Sequence, residues 1–409
     1  MIQIKPISKL AITSPASGNA LVVNGIVWQG LHICANGKDT SSGEEWLVDL
    51  PVGQGFVTPM AINKTSKQLY PRDTKPGNWY GDILLKMLEE NGQEAIEIKR
   101  RGICSHRNIV LLNTVDGWFG HSLLFFFHLE KLKQNLPPDT GLVLVIQPFL
   151  EWMIPDYVDE CWIPSIPLKK GTNYYSQLSH FINTELERFE TVFLSQAPVQ
   201  SHSVDLFAFT GVKKFDTAHP PAKSLITFIW REDITRLWCK NWLVSGGLKY
   251  FKLRKLFLPV HLWRVKRCMA KIQKQLGNEY GYAVAGLGKY GSFGNNIADL
   301  RVNGFTREEE VRTCEIYASS ALVIGVHGSS MILPSGLAGA VISLMPQKRW
   351  GNFAQDILFD PKENLLHEVY NKRMLPLNMP LQEVVDIAVH MVTFKKGFNL
   401  RFVEQSTYL

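Results

Sequence analysis

The chain has 409 residues, 45% of them hydrophobic and 20% charged, the balance of a globular protein with room for more than one core. This excludes a disordered, collagen-like or disulfide-scaffold chain, and no run approaches the ~20 apolar residues of a membrane-spanning helix. A formal net charge of +7 points to an anionic partner.

Residues 1–75 are poor in long periodic segments and rich in Gly, Pro, Ser and Asn, which reads as an N-terminal extension of short strands and loops. The opening MIQIKPISKLAITSPASG lacks the apolar core of a signal peptide. From Gly77 an α/β rhythm begins. Asn78–Glu90 is expected to be a helix, Ala95–Lys99 and Asn108–Leu112 strands, and Gly120–Leu136 a helix stopped by Pro137-Pro138. Leu142–Gln147 and Val158–Ile163 read as strands, Tyr174–Glu190 as a helix and Thr191–Leu194 as a strand. The Pro-Pro break in Thr217–Lys223 is the expected linker. A second rhythm follows, with strand Ser224–Trp230, amphipathic helix His261–Leu276, strand Tyr282–Gly286, and a helix Arg307–Ser320 opened by the capping-box pair Thr306 and Glu309. Strand Ala321–Val326, a turn at Gly328-Ser329-Ser330, a short helix in Met331–Ala338 and strand Val341–Leu344 make a βαβ unit, and Leu381–Phe394 a closing helix. The boundaries expected are 1–75 for the extension, 76–216 and 224–380 for two α/β halves, and 381–409 for the last helix and tail. Alternation of this kind gives parallel sheets covered by helices.

Six widely scattered cysteines (Cys34, Cys104, Cys161, Cys239, Cys268, Cys314) show no zinc-site spacing and read as reduced, buried thiols of a cytoplasmic protein. The turn at Gly328–Ser330 lies at the carboxyl end of a parallel strand, where backbone N–H groups can accept a phosphate. It has no Walker lysine and not the full G-x-G-x-x-G, so an ordinary tight turn is the competing reading. Asp116 and His121 flank Gly117 and Gly120 at the end of a strand and the start of a helix, a place for a general base; an N-cap aspartate and a backbone-bonded histidine are the plain alternatives. Arg231 follows a strand and can grip a diphosphate with its planar fork, assisted by Arg236, or else pair with Glu232 or Asp233 on the surface. His327 can orient the turn or contact the sugar, with a packed, structural histidine as the plain alternative, and Asn352, Gln355 and Asp356 follow the next strand as further donor contacts. No Asp-x-Asp occurs, which favours chemistry without a metal ion. Between Ile234 and Asn278 there is no acidic residue, while basic side chains alternate with Trp238, Trp242, Tyr250, Phe251, Phe257 and Trp263. Such a stretch suits an anionic membrane surface, preferred here over nucleic acid, with a solvated helix face as the plain alternative.

The stretches GVHGSS at Gly325–Ser330, DGWFGHSLLFFFHLEKL at Asp116–Leu132 and ITFIWRED at Ile226–Asp233 together resemble family 61-type (DUF563-like) glycosyltransferases of the GT-B superfamily. The resemblance covers three short patches between about residues 105 and 350. It implies an α/β fold of two Rossmann-like halves facing a cleft, with the donor against the C-terminal half and the acceptor against the N-terminal half. The activity it implies is an inverting, metal-independent transfer of a sugar from a nucleotide-sugar donor to a glycan or lipid-linked acceptor in polysaccharide biosynthesis. In it His121 or Asp116 serves as base, and Arg231, Arg236, His327, Gly328, Ser329, Ser330, Asn352, Gln355 and Asp356 hold the donor. No cofactor or metal is expected. The implied location is cytoplasmic, peripheral at the inner face of the membrane. A non-catalytic nucleotide- or anion-binding module at a membrane, or another phosphate-handling α/β enzyme, are the alternatives.

Overall fold

A computed structural model describes residues 1–71, 77–90, 92, 94–198, 203–233, 237–238, 254–304, 306–359 and 370–394. The chain divides into two compact units, Met1–Gln200 and Ser201–Leu409. That division lies ahead of the Pro-Pro segment expected as the linker. Phe215 belongs to the core of the second unit, and its N–H donates to Leu337 O at 2.8 Å, so residues before Thr217 are already part of that unit.

The first unit holds two sheets. Strands β1 (Ile2–Lys5), β7 (Ile98–Gly102), β8 (Asn108–Asn113), β9 (Thr140–Val145), β10 (Glu160–Pro164) and β11 (Thr191–Leu194) form one sheet in the order β1-β11-β8-β9-β10-β7. Its four central strands are parallel, and β1 and β7 close the edges antiparallel. Strands β2 (Leu21–Trp28), β3 (Ile33–Asp39), β4 (Glu45–Asp49), β5 (Ala61–Asn63) and β6 (Leu69–Tyr70) form an antiparallel meander. The helices are α1 (Gln54–Val57), α2 (Asp82–Glu89), α3 (Phe119–Gln134) and α4 (Ser176–Leu186). Residues 1–75 are therefore no appendage. Trp28, Ile33, Ala35, Leu50 and Val52 share one core cluster with Ile109, Leu111, Val143 and Val145 of the parallel sheet, and β1 extends that sheet. Short strands with few apolar residues on their outer faces hide this role from a periodicity argument, because the burial that defines them comes from another sheet.

The second unit contains α5 (Phe207–Thr210), α6 (Arg254–Leu276), α7 (Arg307–Ala318), α8 (Ile332–Leu337) and α9 (Leu381–Thr393). Its strands are β12 (Leu225–Arg231), β13 (Gly281–Leu287), β14 (Ala298–Val302), β15 (Ser320–Val326), β16 (Val341–Met345) and β17 (Lys372–Pro376), ordered β14-β13-β12-β15-β16-β17 and parallel throughout. Counted along the chain this is the order 3-2-1-4-5-6 of a doubly wound sheet. The expected capping box is present: Glu309 N–H donates to Thr306 Oγ1 at 3.2 Å and Thr306 N–H to Glu309 Oε2 at 3.0 Å. Strands β14 and β17 were not legible as strands; their outward residues are polar and only the sheet pairs them. Each unit is thus a Rossmann-like α/β layer, as the alternation of elements implies. Among the described residues no helix is long and apolar enough to cross a membrane.

Candidate functional site

In a doubly wound sheet the strand order reverses between the first strand and the fourth, and the loops leaving those strands part there to open a crevice. In the first unit the reversal falls between β8 and β11, and the chain leaving β8 carries Asp116 and His121. Asp116 is fully buried. Its N–H donates to Gln147 Oε1 at 3.0 Å, tying the loop after β8 to the end of β9. Its Oδ1 accepts from Trp118 N–H at 2.8 Å, a local Asx turn that starts α3, and its Oδ2 faces His121 Nδ1 at 3.2 Å. The carboxylate only accepts, so Nδ1 carries the proton in the neutral ring and Nε2 is left with a lone pair. His121 is 23% exposed through its side chain, so a substrate hydroxyl can reach it, whereas none can reach Asp116. The two residues proposed as alternative bases are one pair. The buried Asp116 fixes the orientation of the more exposed His121 ring.

The pair is built by tight backbone crossings. A Cβ on Gly171 would lie 2.0 Å from Asp116 O, and one on Gly117 would lie 2.6 Å from Thr172 Cγ2. Gln29 Nε2 donates to Thr172 O at 2.7 Å and Asn113 Nδ2 to Gly30 O at 2.7 Å, so the turn between β2 and β3 braces the same loops. Beside His121 stand two exposed indoles: Trp118 lies 5.4 Å from its ring, and Trp79 packs edge to face on Trp118 at 5.5 Å. His128, two turns along α3, is instead buried and bonds Pro198 O at 3.0 Å.

In the second unit the reversal falls between β12 and β15, and Ile229 pairs with Gly325 across it. Arg231 ends β12, and the turn Gly328–Ser330 follows β15, so these two groups sit at the same carboxyl edge on neighbouring strands. Gly328 has φ 140°, which favours glycine. A Cβ on Gly325 would lie 2.4 Å from Met331 Sδ, so Gly325 lets the chain fold back over its own strand. Among the described residues the N–H groups of Gly328, Ser329 and Ser330 donate to no acceptor, and Ser330 Oγ is buried without a partner. The helix expected after the turn is shorter than its sequence suggested: a single 3-10 turn, Ser329–Met331, precedes the six residues of α8. A macrodipole of that length is weak, so an anion here would rest on the turn's own N–H groups.

Arg231 Nε donates to Asp233 Oδ2 at 3.1 Å, the surface pair considered as the plain alternative, while its two Nη groups take no partner among the described residues. Glu232 does something else: its Oε1 accepts from Trp230 Nε1 at 3.2 Å and from Tyr290 N–H at 2.8 Å. It clamps the loop after β13, where Gly286-x-Gly288-x-x-Gly291 runs from the end of the strand into the loop, the spacing absent from the turn after β15. All three glycines have positive φ, and the buried Arg301 holds the loop from below through Tyr290 O and Gly291 O, each at 2.8 Å. A strand rather than a helix follows, so this spacing does not make the dinucleotide fingerprint, but it puts a second glycine loop next to Arg231. Glu310, in the first turn of α7, was also missed. Burial, and then Glu309, pushes its carboxyl up to about 7, and nothing in the sequence marks that.

His327 is buried, with its N–H on Leu344 O at 3.0 Å, and so fixes the turn from behind. Asn352 is exposed at a break in the 3-10 segment Gln347–Asp356, one strand further out, with Gln355 half-buried in the same segment. Arg236 and the side chain of Asp356 lie outside the described residues. Much of the basic aromatic stretch also lies outside them, including Trp242, Tyr250 and Phe251. Trp238 proves to be core, fully buried with its Nε1 on Leu377 O at 3.1 Å. Along α6 the exposed residues Val260, Trp263, Arg267 and Lys274 form one stripe.

Among the described residues one group has metal-ligand chemistry: His32, Cys34 and Asp49, all buried, with ligand atoms within 4.8 Å of one another. Their polar atoms are already used. His32 Nδ1 meets Asp49 Oδ1 at 2.8 Å and its Nε2 meets Tyr80 O at 2.9 Å; Met60 N–H donates to Asp49 Oδ2 at 3.0 Å. Burial, then Asp49, pushes the Cys34 thiol up, away from the thiolate a metal would take. The trio is a buried pin that holds Tyr80. The described cysteines (Cys34, Cys104, Cys161, Cys268 and Cys314) are free and buried.

No family model matches the chain, and no curated protein does. Among solved structures it is similar to an E. coli ADP-heptose lps heptosyltransferase II at 10% identity, covering 71% of this chain and 99% of that one with a TM-score of 0.40. It is similar also to a trehalose-6-phosphate synthase at 11% identity, covering 84% of this chain and 81% of that one with a TM-score of 0.20. Likenesses this slight carry no weight here, and the functional reading rests on the strand order and the residues at the two reversals.

Proposed function

We propose that the protein is a glycosyltransferase in which the second unit holds a nucleotide-sugar donor and the first activates the acceptor hydroxyl. The observation that carries this is the Asp116–His121 pair at the reversal of the first sheet, with Nδ1 facing the buried carboxylate and the imidazole side chain 23% exposed. The acceptor's proton passes to Nε2 as its oxygen forms the bond to the anomeric carbon. The bond from that carbon to the diphosphate breaks with its electron pair, and the nucleoside diphosphate leaves. The guanidinium of Arg231 and the N–H groups of Gly328–Ser330 supply positive potential to the departing phosphate, the role a divalent ion has elsewhere. One displacement of this kind inverts the anomeric centre. A glycan or lipid-linked acceptor suits the exposed indoles, and the stripe on α6 suits peripheral contact with an anionic membrane.

The test is incubation with a panel of nucleotide sugars, with and without acceptors. Slow release of nucleoside diphosphate from one donor, accelerated by an acceptor and lost in His121→Ala, supports the reading. Binding of nucleoside diphosphates with no turnover on any donor would replace it with a non-catalytic binding module.

A further inference from the structure

Among the described tryptophans Trp79, Trp118, Trp263 and Trp350 are well exposed, and the first two of these pack against each other. Trp79 is 40% exposed and Trp118 is 41% exposed, and each is attached to a segment that is otherwise locked. Trp118 is fixed by its own N–H, which donates to Asp116 Oδ1 at 2.8 Å. Its neighbour Phe119 packs on Phe149 at 5.8 Å, and α3 is buried from Ser122 to Leu129. Trp79 is fixed by Tyr80, which is wholly buried, stacks on His32 at 3.8 Å and has its carbonyl held by His32 Nε2. Exposing about two fifths of an indole to water forgoes burial that the fold could use, and holding it on a rigid base removes the entropy cost of ordering it on binding.

The two rings meet at 88°, with centroids 5.5 Å apart, so they form a corner. Flat nucleobases call for parallel faces. A pyranose chair has an apolar C–H face, which stacks on one indole, and a rim, which meets the other. Among the described residues no guanidinium or ammonium stacks on either ring, although such contacts occur at Trp238, Trp263 and Trp230. Among the described residues, then, the corner presents apolar ring surface with no cation stacked on it. His121 lies 5.4 Å from Trp118, and Asp116 bonds both Trp118 N–H and His121 Nδ1, so one carboxylate sets the base and the platform in a fixed relation.

We propose that Trp79 and Trp118 form the acceptor subsite, and that the acceptor's reacting residue is a pyranose, stacked on this corner so that one of its hydroxyls meets His121 Nε2. This rests on the transferase reading for the role of His121, but binding alone can test it. The buried trio His32, Cys34 and Asp49 acts here as the platform's anchor.

The experiment is saturation-transfer NMR and calorimetric titration of the full chain with methyl glycosides of glucose, galactose, mannose and N-acetylglucosamine and with short oligosaccharides, without donor. The expected result is binding of at least one of these pyranosides, weakened at least about tenfold in Trp79→Ala and in Trp118→Ala and retained in large part in Trp118→Phe. Where a donor is found, the same Ala variants should raise the acceptor KM at least about tenfold with a smaller change in kcat. Pyranoside binding that depends on both tryptophans, with no turnover on any donor, would sink the transferase reading and leave a carbohydrate site. Turnover with wild-type acceptor KM in both Ala variants would overturn the subsite and leave the transferase. Preferential binding of free nucleosides at this corner, or no pyranoside binding at all, would also overturn it. Both side chains project from the surface, so thermal unfolding close to wild type is expected and checks that the variants are folded.

Discussion

Asp116→Asn isolates the positioning role of the buried carboxylate. Asparagine is nearly the same size, and its Oδ1 can still accept from Trp118 N–H, so α3 should start as before. Its Nδ2 then faces His121 Nδ1 across the 3.2 Å now spanned by the carboxylate. An amide N–H needs an acceptor there, which moves the ring proton to Nε2 and points a donor at the substrate hydroxyl. The base is present but inverted. Loss of general-base catalysis costs about 10²–10⁴ in rate, or about 3–5 kcal/mol in the barrier. Stability should change by no more than about 1 kcal/mol, because one hydrogen bond is exchanged for another. The measurement is kcat for transfer in Asp116→Asn, His121→Ala and the double variant, with urea unfolding of each. The double variant should be no slower than His121→Ala, since both singles remove the same act. Turnover within about threefold of wild type in Asp116→Asn, or losses that add in the double variant, would refute the argument from the dyad.

Arg231→Lys keeps the charge but loses the fork, and transfer should slow by an amount equivalent to about 2–4 kcal/mol; an unchanged rate removes Arg231 from the site. Ser329→Pro deletes one N–H of the turn and should weaken nucleoside diphosphate binding in calorimetry. Gly171→Ala drives a methyl to within 2.0 Å of Asp116 O and should cost about 1–3 kcal/mol in urea unfolding while slowing transfer, because the peptide it strikes carries the dyad. Stability should fall on both sides of a maximum. Burial, then Arg264, holds His261 down at about 3, with Arg301 acting the same way and Asp233 opposing; its contribution is present above 6.5 and lost as pH falls below that value. The carboxyl of Glu310, raised by burial and Glu309, keeps its proton to about 7 in the folded chain against 4.5 unfolded, so up to about 3 kcal/mol is lost as pH rises between those values. Glu310→Gln should flatten the alkaline limb in urea titrations at pH 5 and 8. Vesicles of anionic lipid should bind the chain at low salt and release it at high salt, with Trp263→Ala weakening the contact; equal binding to neutral vesicles would dismiss the α6 stripe.

The sequence by itself was enough to place most helices and parallel strands, because runs such as Leu142–Val145 and Ala321–Val326 are apolar at consecutive positions and can only be buried on both faces. It also marked the chemistry at Asp116, His121, Arg231 and Gly328, where charged or flexible residues interrupt such runs. Tertiary structure decided the rest. Strand order is a property of pairing, so only the sheets show that these residues stand where each order reverses. Only packing shows that Asp116 is buried behind His121 rather than competing with it, since five residues of separation say nothing about which carboxylate oxygen meets which ring nitrogen. The N-terminal 75 residues look like an extension because their short strands take their burial from a neighbouring sheet. Trp79 and Trp118 lie far apart in the chain and become one corner only when a buried histidine and a buried aspartate, on different loops, fix the backbone beneath each.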